Sequence, residues 1–179
     1  MKYVFMQWFV VAACFAAAVT ITVVRAEDDD EGGRRSVPVQ NKSYQAECAT
    51  CHKPYFPGLL PAQSWEKIMT GMKAHFGENV ELKAAAQADI LAFLKKNAAE
   101  KSSSELSQKI MRSLHGTIPA RITEIPLIKK KHLGIPKGVL QRKAIGSLAN
   151  CTACHPAADK GDFDEDHTRI PGADGKRKE

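Results

Sequence analysis

Cys48-Ala49-Thr50-Cys51-His52 recurs as Cys151-Thr152-Ala153-Cys154-His155, and the rest of the chain is read outward from this pair. Two cysteines two residues apart, with a histidine directly after the second, form the attachment pattern of a c-type haem. On a helical turn the two thiols face one edge of a porphyrin and can add to its vinyl groups. The next side chain then points under the ring, where an imidazole can bind iron. Buried or disulfide-bonded cysteines would not explain a histidine at the same offset both times. Zinc sites also use Cys-x-x-Cys pairs, but their halves normally lie roughly 12–20 residues apart. Here 99 residues separate Cys51 from Cys151. A thioredoxin-like pair would need a strand–helix setting, whereas the surroundings read as helical.

The chain has 179 residues. Residues 1–26 read as a signal peptide: Lys2, an apolar run from Tyr3 to Val24, then small residues at Val24-Arg25-Ala26. The apolar run is long enough to span a bilayer if it stays uncleaved. Membrane contact is expected only through such a retained leader. Cys14 offers a weaker third reading as a lipid-anchor site. Export fits the two motifs, because c-type haem is attached outside the cytoplasm, and the expected location is the periplasm. The motifs use the remaining four cysteines, leaving no pair for a structural disulfide. The formal charge is +6; without Lys2 and Arg25, 24 basic residues face 20 acidic ones. Haem propionates would offset that excess, so the basic balance is no argument for nucleic acid. Basic and aromatic residues do not interleave as on a nucleic-acid surface.

Residues 27–41 read as a flexible lead-in, 42–100 as a first haem unit and 101–179 as a second with a polar tail. Helix is predicted from about Ser43 into the first motif, ended by Lys53-Pro54. Tyr55 to Leu60 is an apolar loop suited to covering a haem edge. A helix over Pro61–Phe76 carries Trp65, Ile68, Met69 and Met72 on one face. Asn79 is the expected cap of a helix to about Asn97, with Leu82, Ala86, Ile90, Phe93 and Leu94 inward. Ala98 to Lys101 reads as a junction. Ser102 with Glu105 forms a capping box for a helix to about Leu114. A short basic helix, Leu127 to His132, and a helix from near Val139 into the second motif complete a mainly α reading.

His52 and His155 are the proximal iron ligands on this reading. For the opposite face of the first haem His75 leads, because it extends the apolar stripe; Met69 and Met72 are alternatives. For the second, His132 leads over His115, which suits a helix cap, and over His167, which sits among acidic residues. Two histidines on each iron would leave no open position for substrate, which suits electron transfer. The competing reading is a dihaem peroxidase or small-ligand sensor with one open haem. Lys129, Lys130, Lys131, Lys137, Arg142 and Lys143 form a basic cluster near the second motif, suited to an acidic redox partner.

From Tyr44 to Pro171 the chain resembles the small bacterial dihaem cytochrome c family, DHC. The resemblance rests on YFPGLLPAQSW (55–65), His75-Phe76-Gly77-Glu78-Asn79, Arg121-Ile122-Thr123-Glu124, Lys131-His132 and GDFDEDHTRIP (161–171). It implies two haem c groups with two histidines each, on Cys48, Cys51, Cys151 and Cys154, with His52, His75, His132 and His155. It also implies an N-terminal unit like a class I cytochrome c and a less regular C-terminal half. A membrane b-type cytochrome or a high-spin haem protein is the implied partner.

Overall fold

Asn41 opens the first helix by accepting the Tyr44 N–H on its side chain at 2.7 Å, satisfying one of the orphan donors of a helix start. The computed structural model describes residues 40–158 and 161–172. The expected leader, the lead-in up to residue 39 and the end of the tail lie outside the described residues. Helix α1 (Lys42–Cys48) ends on the first motif cysteine. It is followed by α2 (Ala62–Thr70), α3 (Ala84–Lys96), α4 (Glu105–Leu114), α5 (Pro126–His132) and α6 (Lys137–Leu140). Short 3-10 turns at Pro57–Leu59, Met72–Ala74, Ala99–Lys101, Ile122–Glu124 and Cys151–Ala153 punctuate them. Among the described residues the only β-type pairing is an isolated bridge between His75 and Glu78. The fold is mainly α.

The apolar stripes explain the packing. Trp65 and Met69 of α2, with Met72 just beyond it, meet Ile90 and Leu94 of α3. Ile110 and Leu114 of α4 and Ile125 before α5 join the same cluster, as do Phe56, Leu59 and Leu60. One core thus runs across the expected boundary after residue 100. The expected junction is part of it: Ala98 and Ala99 are buried, and the Ala99 N–H donates to the Leu60 carbonyl at 2.9 Å. Glu100 accepts the Ala62 N–H at 3.1 Å, placing a carboxylate on the positive end of α2.

Four expectations about helix limits are corrected. The helix expected over Pro61–Phe76 stops at Thr70, where the Thr70 hydroxyl donates back to the Glu66 carbonyl at 2.8 Å and Gly71 follows. Asn79 caps nothing: residues 79–83 are not helical, the Val80 N–H donates to the Met72 carbonyl at 3.0 Å, and α3 starts after Lys83. Ser104, not Ser102, caps α4, accepting the Ser107 N–H at 3.1 Å. The helix expected from Val139 into the second motif is broken. α6 spans a single turn, and Gly146 at φ 75 takes a left-handed conformation that ends any continuation.

Candidate haem sites

Both pentapeptides use the same local hydrogen bond. The N–H of His52 donates to the Cys48 carbonyl at 3.4 Å, and that of His155 to the Cys151 carbonyl at 2.8 Å. Each turn therefore gathers its two cysteines and its histidine without needing a long helix. The first motif hangs from the end of α1; the second sits in a 3-10 turn held by its flanking loops. Burial pushes the Cys48 thiol up to about 11, with Glu47 adding to the effect. Burial likewise raises the Cys151 and Cys154 thiols.

The imidazoles form two opposed pairs. The ring centroids of His52 and His75 are 6.2 Å apart with planes 17° from parallel. Those of His132 and His155 are 6.1 Å apart and steeply crossed, at 70°. A metal–imidazole bond is about 2 Å, so one metal ion between two facing rings puts their centroids about 6 Å apart. Both pairs have that spacing. The tautomers fit as well. His52 Nδ1 lies 2.8 Å from the Lys53 carbonyl and His132 Nδ1 2.7 Å from that of Ile128. A carbonyl only accepts, so Nδ1 carries the proton and Nε2 keeps its lone pair for iron. Burial lowers the pKa of His75, and the charges of His52 and Arg121 push the same way. Burial also lowers that of His155, reinforced by His132 and opposed by Asp162. Both rings therefore hold the neutral, metal-binding form to lower pH than a free imidazole.

His75 owes its position to a tight turn. It exchanges two backbone hydrogen bonds with Glu78, at 2.8 and 3.1 Å, across Phe76 (φ 54) and Gly77 (φ 109). A two-residue turn with both central φ angles positive suits Gly77 and strains Phe76. Arg121 covers the strained residue, its guanidinium 4.1 Å from the centre of the Phe76 ring. The RITE stretch of the C-terminal half thus braces the HFG turn of the N-terminal half.

The other candidates fall elsewhere. Met69 and Met72 are buried in the core cluster. His115 caps α4 from the surface in a left-handed conformation. His167 is exposed and meets Asp162 at 2.7 Å. A cavity of 680 Å³ opens between the two motifs, lined by Cys51, His52, Tyr55 and Phe56 on one side and Cys151, Thr152 and Phe163 on the other. Its size and mixed apolar lining suit a large flat group.

Sequence reasoning missed the side chains that join the two motifs. Tyr55 stacks on His52 with centroids 5.2 Å apart, and its hydroxyl donates to the Ala149 carbonyl at 2.9 Å. Phe56 meets Phe163 edge-on at 6.2 Å, and Phe163 lies 5.6 Å from His155. The described part of the polar tail is fastened to the second motif and to α5. The Arg169 N–H donates to the Cys154 carbonyl at 2.7 Å, and Glu165 pairs with Lys131.

The fold and these paired sites are those of a small helical protein built around two motif-bound haems. The family model for dihaem cytochrome c, DHC, matches residues 44–163, and the chain belongs to that family. It carries two haem c groups. Two solved structures illustrate the likeness. A diheme cytochrome c from Rhodobacter sphaeroides is 35% identical, covering 71% of this chain and 99% of that one, with a TM-score of 0.60. The diheme cytochrome type c sb-DHC from Shewanella baltica OS155 is also 35% identical, covering 75% of this chain and 95% of that one, with a TM-score of 0.61. No curated protein matches the chain.

Proposed function

We propose that the protein is a periplasmic electron carrier in which His52 with His75, and His132 with His155, close both faces of two haem irons. The observation that carries this reading is the pairing: two opposed imidazole pairs, 6.2 and 6.1 Å between centroids, each beside a Cys-x-x-Cys-His turn. Bound haem iron supplies one-electron exchange between its ferric and ferrous forms. The chain's own residues hold the ligands still. The carbonyls of Lys53 and Ile128 keep the proton on Nδ1, and the Phe76–Gly77 turn, covered by Arg121, holds His75 toward His52. Ligands that do not exchange leave little to reorganise on electron transfer, and two histidines hold the potential below that of a histidine–methionine pair. Tyr55, Phe56 and Phe163 keep the two sites in contact, which suits electrons passing between them.

An open haem would instead suit an enzyme or sensor, and carbon monoxide separates the two readings. The reduced wild-type spectrum is expected to be indifferent to the gas. His75→Ala and His132→Ala should each make one haem responsive while both haems stay covalently attached. A wild-type protein that binds carbon monoxide at one haem refutes the carrier reading.

The partner is proposed to be an acidic redox protein, with a membrane b-type cytochrome or a high-spin haem protein as the implied class. Lys129, Lys130 and Lys137 are exposed beside Leu133, which is 80% exposed next to His132. An exposed apolar residue flanked in sequence by exposed cations suits brief, charge-steered docking. Lys131, also exposed, is paired with Glu165, which offsets its charge at that surface.

A further inference from the structure

The hydrogen bond behind His155 differs in kind from those behind His52 and His132. Those two direct Nδ1 to main-chain carbonyls, which no substitution removes. His155 Nδ1 instead lies 3.2 Å from the Thr168 hydroxyl oxygen. That hydroxyl donates its own proton to the Asp164 carbonyl, at 3.0 Å. With its hydrogen committed there, the oxygen can only accept from the ring. The proton is therefore held on Nδ1, and Nε2 keeps its lone pair.

Thr168 is well placed to do this because the segment around it is fastened from several sides. Its own N–H donates to the Glu165 carbonyl at 3.1 Å. The next residue, Arg169, donates its N–H to the Cys154 carbonyl at 2.7 Å, one residue before His155. Glu165 pairs with Lys131, the neighbour of His132 on α5. Arg142 donates to the Pro171 carbonyl. The segment thus touches both the turn that carries His155 and the helix that carries His132.

We propose that Thr168 is a positioning residue for the second haem: through its hydroxyl it fixes the tautomer and plane of His155 and sets that haem's reduction potential. This rests on the reading that His155 is an iron ligand. An Nδ1–H that donates to oxygen makes the imidazole a stronger electron donor through Nε2. A stronger donor stabilises the ferric form and lowers the potential. No proton changes owner; the hydroxyl only accepts from one partner while donating to another. Removing it weakens the donor and turns the ring loose about its Cβ–Cγ bond.

The test compares Thr168→Val, which keeps the shape and removes the acceptor, with Thr168→Ser, which keeps the hydroxyl. Both are made in the haem-loaded, full-length protein. A redox titration resolved for each haem, with low-temperature paramagnetic resonance of the ferric protein, reads the outcome. Thr168→Val should raise the potential of the second haem and alter its resonance while the first haem stays put. Thr168→Ser should return both readings toward wild type. A second potential that does not move in Thr168→Val overturns the proposal, and so does an equal shift of both haems or a serine variant that behaves like valine. If the wild-type second haem lacks a two-imidazole spectrum, the ligation reading falls and this role falls with it. A two-imidazole spectrum with an unmoved potential removes the Thr168 role alone.

Discussion

Replacing Gly58 by alanine should destabilise the protein through one hydroxyl, and a second substitution should abolish the effect. Gly58 sits in the loop that carries Tyr55 and Phe56, against the start of α4. A Cβ there would lie 2.7 Å from Ser107 Oγ, with Ser102 Oγ at 3.3 Å. The three hydroxyls form a directed chain: Ser102 donates to Ser104 at 3.2 Å, Ser104 to Ser107 at 2.7 Å, and Ser107 to the Gly58 carbonyl at 2.8 Å. To admit the methyl group, the Ser107 hydroxyl must swing away and give up its bonds to Ser104 and Gly58. Two hydrogen bonds at about 1 kcal/mol each come to about 2 kcal/mol. The stiffer unfolded chain returns about 0.4–1 kcal/mol, since the backbone here is not left-handed. A net loss of about 1–1.5 kcal/mol lowers Tm by roughly 3–5 °C in a chain of this size. Ser107→Ala alone strands the buried Gly58 carbonyl and should cost about 1–3 kcal/mol. In that background the 2.7 Å clash is gone and only Ser102, at 3.3–3.4 Å, must give slightly, so adding Gly58→Ala should range from nearly neutral to stabilising by up to about 1 kcal/mol. Thermal and guanidinium unfolding of the four haem-loaded proteins, followed by far-ultraviolet circular dichroism, measures the cycle. An equal loss from Gly58→Ala in both backgrounds refutes the reasoning.

Three further predictions address charge, protons and burial. Changing Lys129, Lys130 and Lys137 to glutamine should slow electron exchange with an acidic redox protein about tenfold at low salt and flatten the salt dependence; stopped-flow rates unchanged at low salt would exclude docking there. Burial already lowers the pKa of His75 and His155 without iron, and an iron bond at Nε2 pushes the same way, so stability should fall as pH drops below about 6.5. Loss of the low-spin bands on acidification, together with a falling Tm, checks the sign, and a Tm that rises below about pH 6.5 contradicts it. Ser64 Oγ is buried without a partner among the described residues, so Ser64→Ala should be neutral or stabilising by up to about 1 kcal/mol in an unfolding titration, and a loss of more than that would mean the hydroxyl has a partner in the loaded protein.

The parts of this molecule written in short-range spacing were the legible ones. Cys-x-x-Cys-His states its own geometry, and the four-residue steps from Trp65 to Met69 and from Ile90 to Leu94 state which faces meet. Helix ends were harder, for identifiable reasons. Three consecutive serines, 102 to 104, offer more than one capping register, and the choice fell to Ser104 because Ser107 lies buried against Gly58. At His75 the apolar stripe suggested continuing helix, yet the chain turns back on itself. Phe76-Gly77 was the available signal, and a positive φ at phenylalanine is hard to foresee without Arg121 above it. The bonds from Tyr55 to Ala149 and from Thr168 to His155 link segments with no periodicity between them. Nothing in local pattern announces such contacts; they exist because one core and two haem turns force distant loops together.

The two centres also differ in when the ribosome delivers them. His52 and His75 are close neighbours along the chain, joined by α2 and one tight turn, so both proposed ligands of the first centre have emerged before α4 is made. The second centre gathers His132, His155 and the Thr168 hydroxyl, and its last strut arrives near the C-terminal limit of the described residues. Synthesis runs from the N-terminus, so the parts of the two centres become available in a fixed order. A polypeptide cut short before Thr168 would retain both proposed ligands of the first centre but lack the hydroxyl proposed to brace the second.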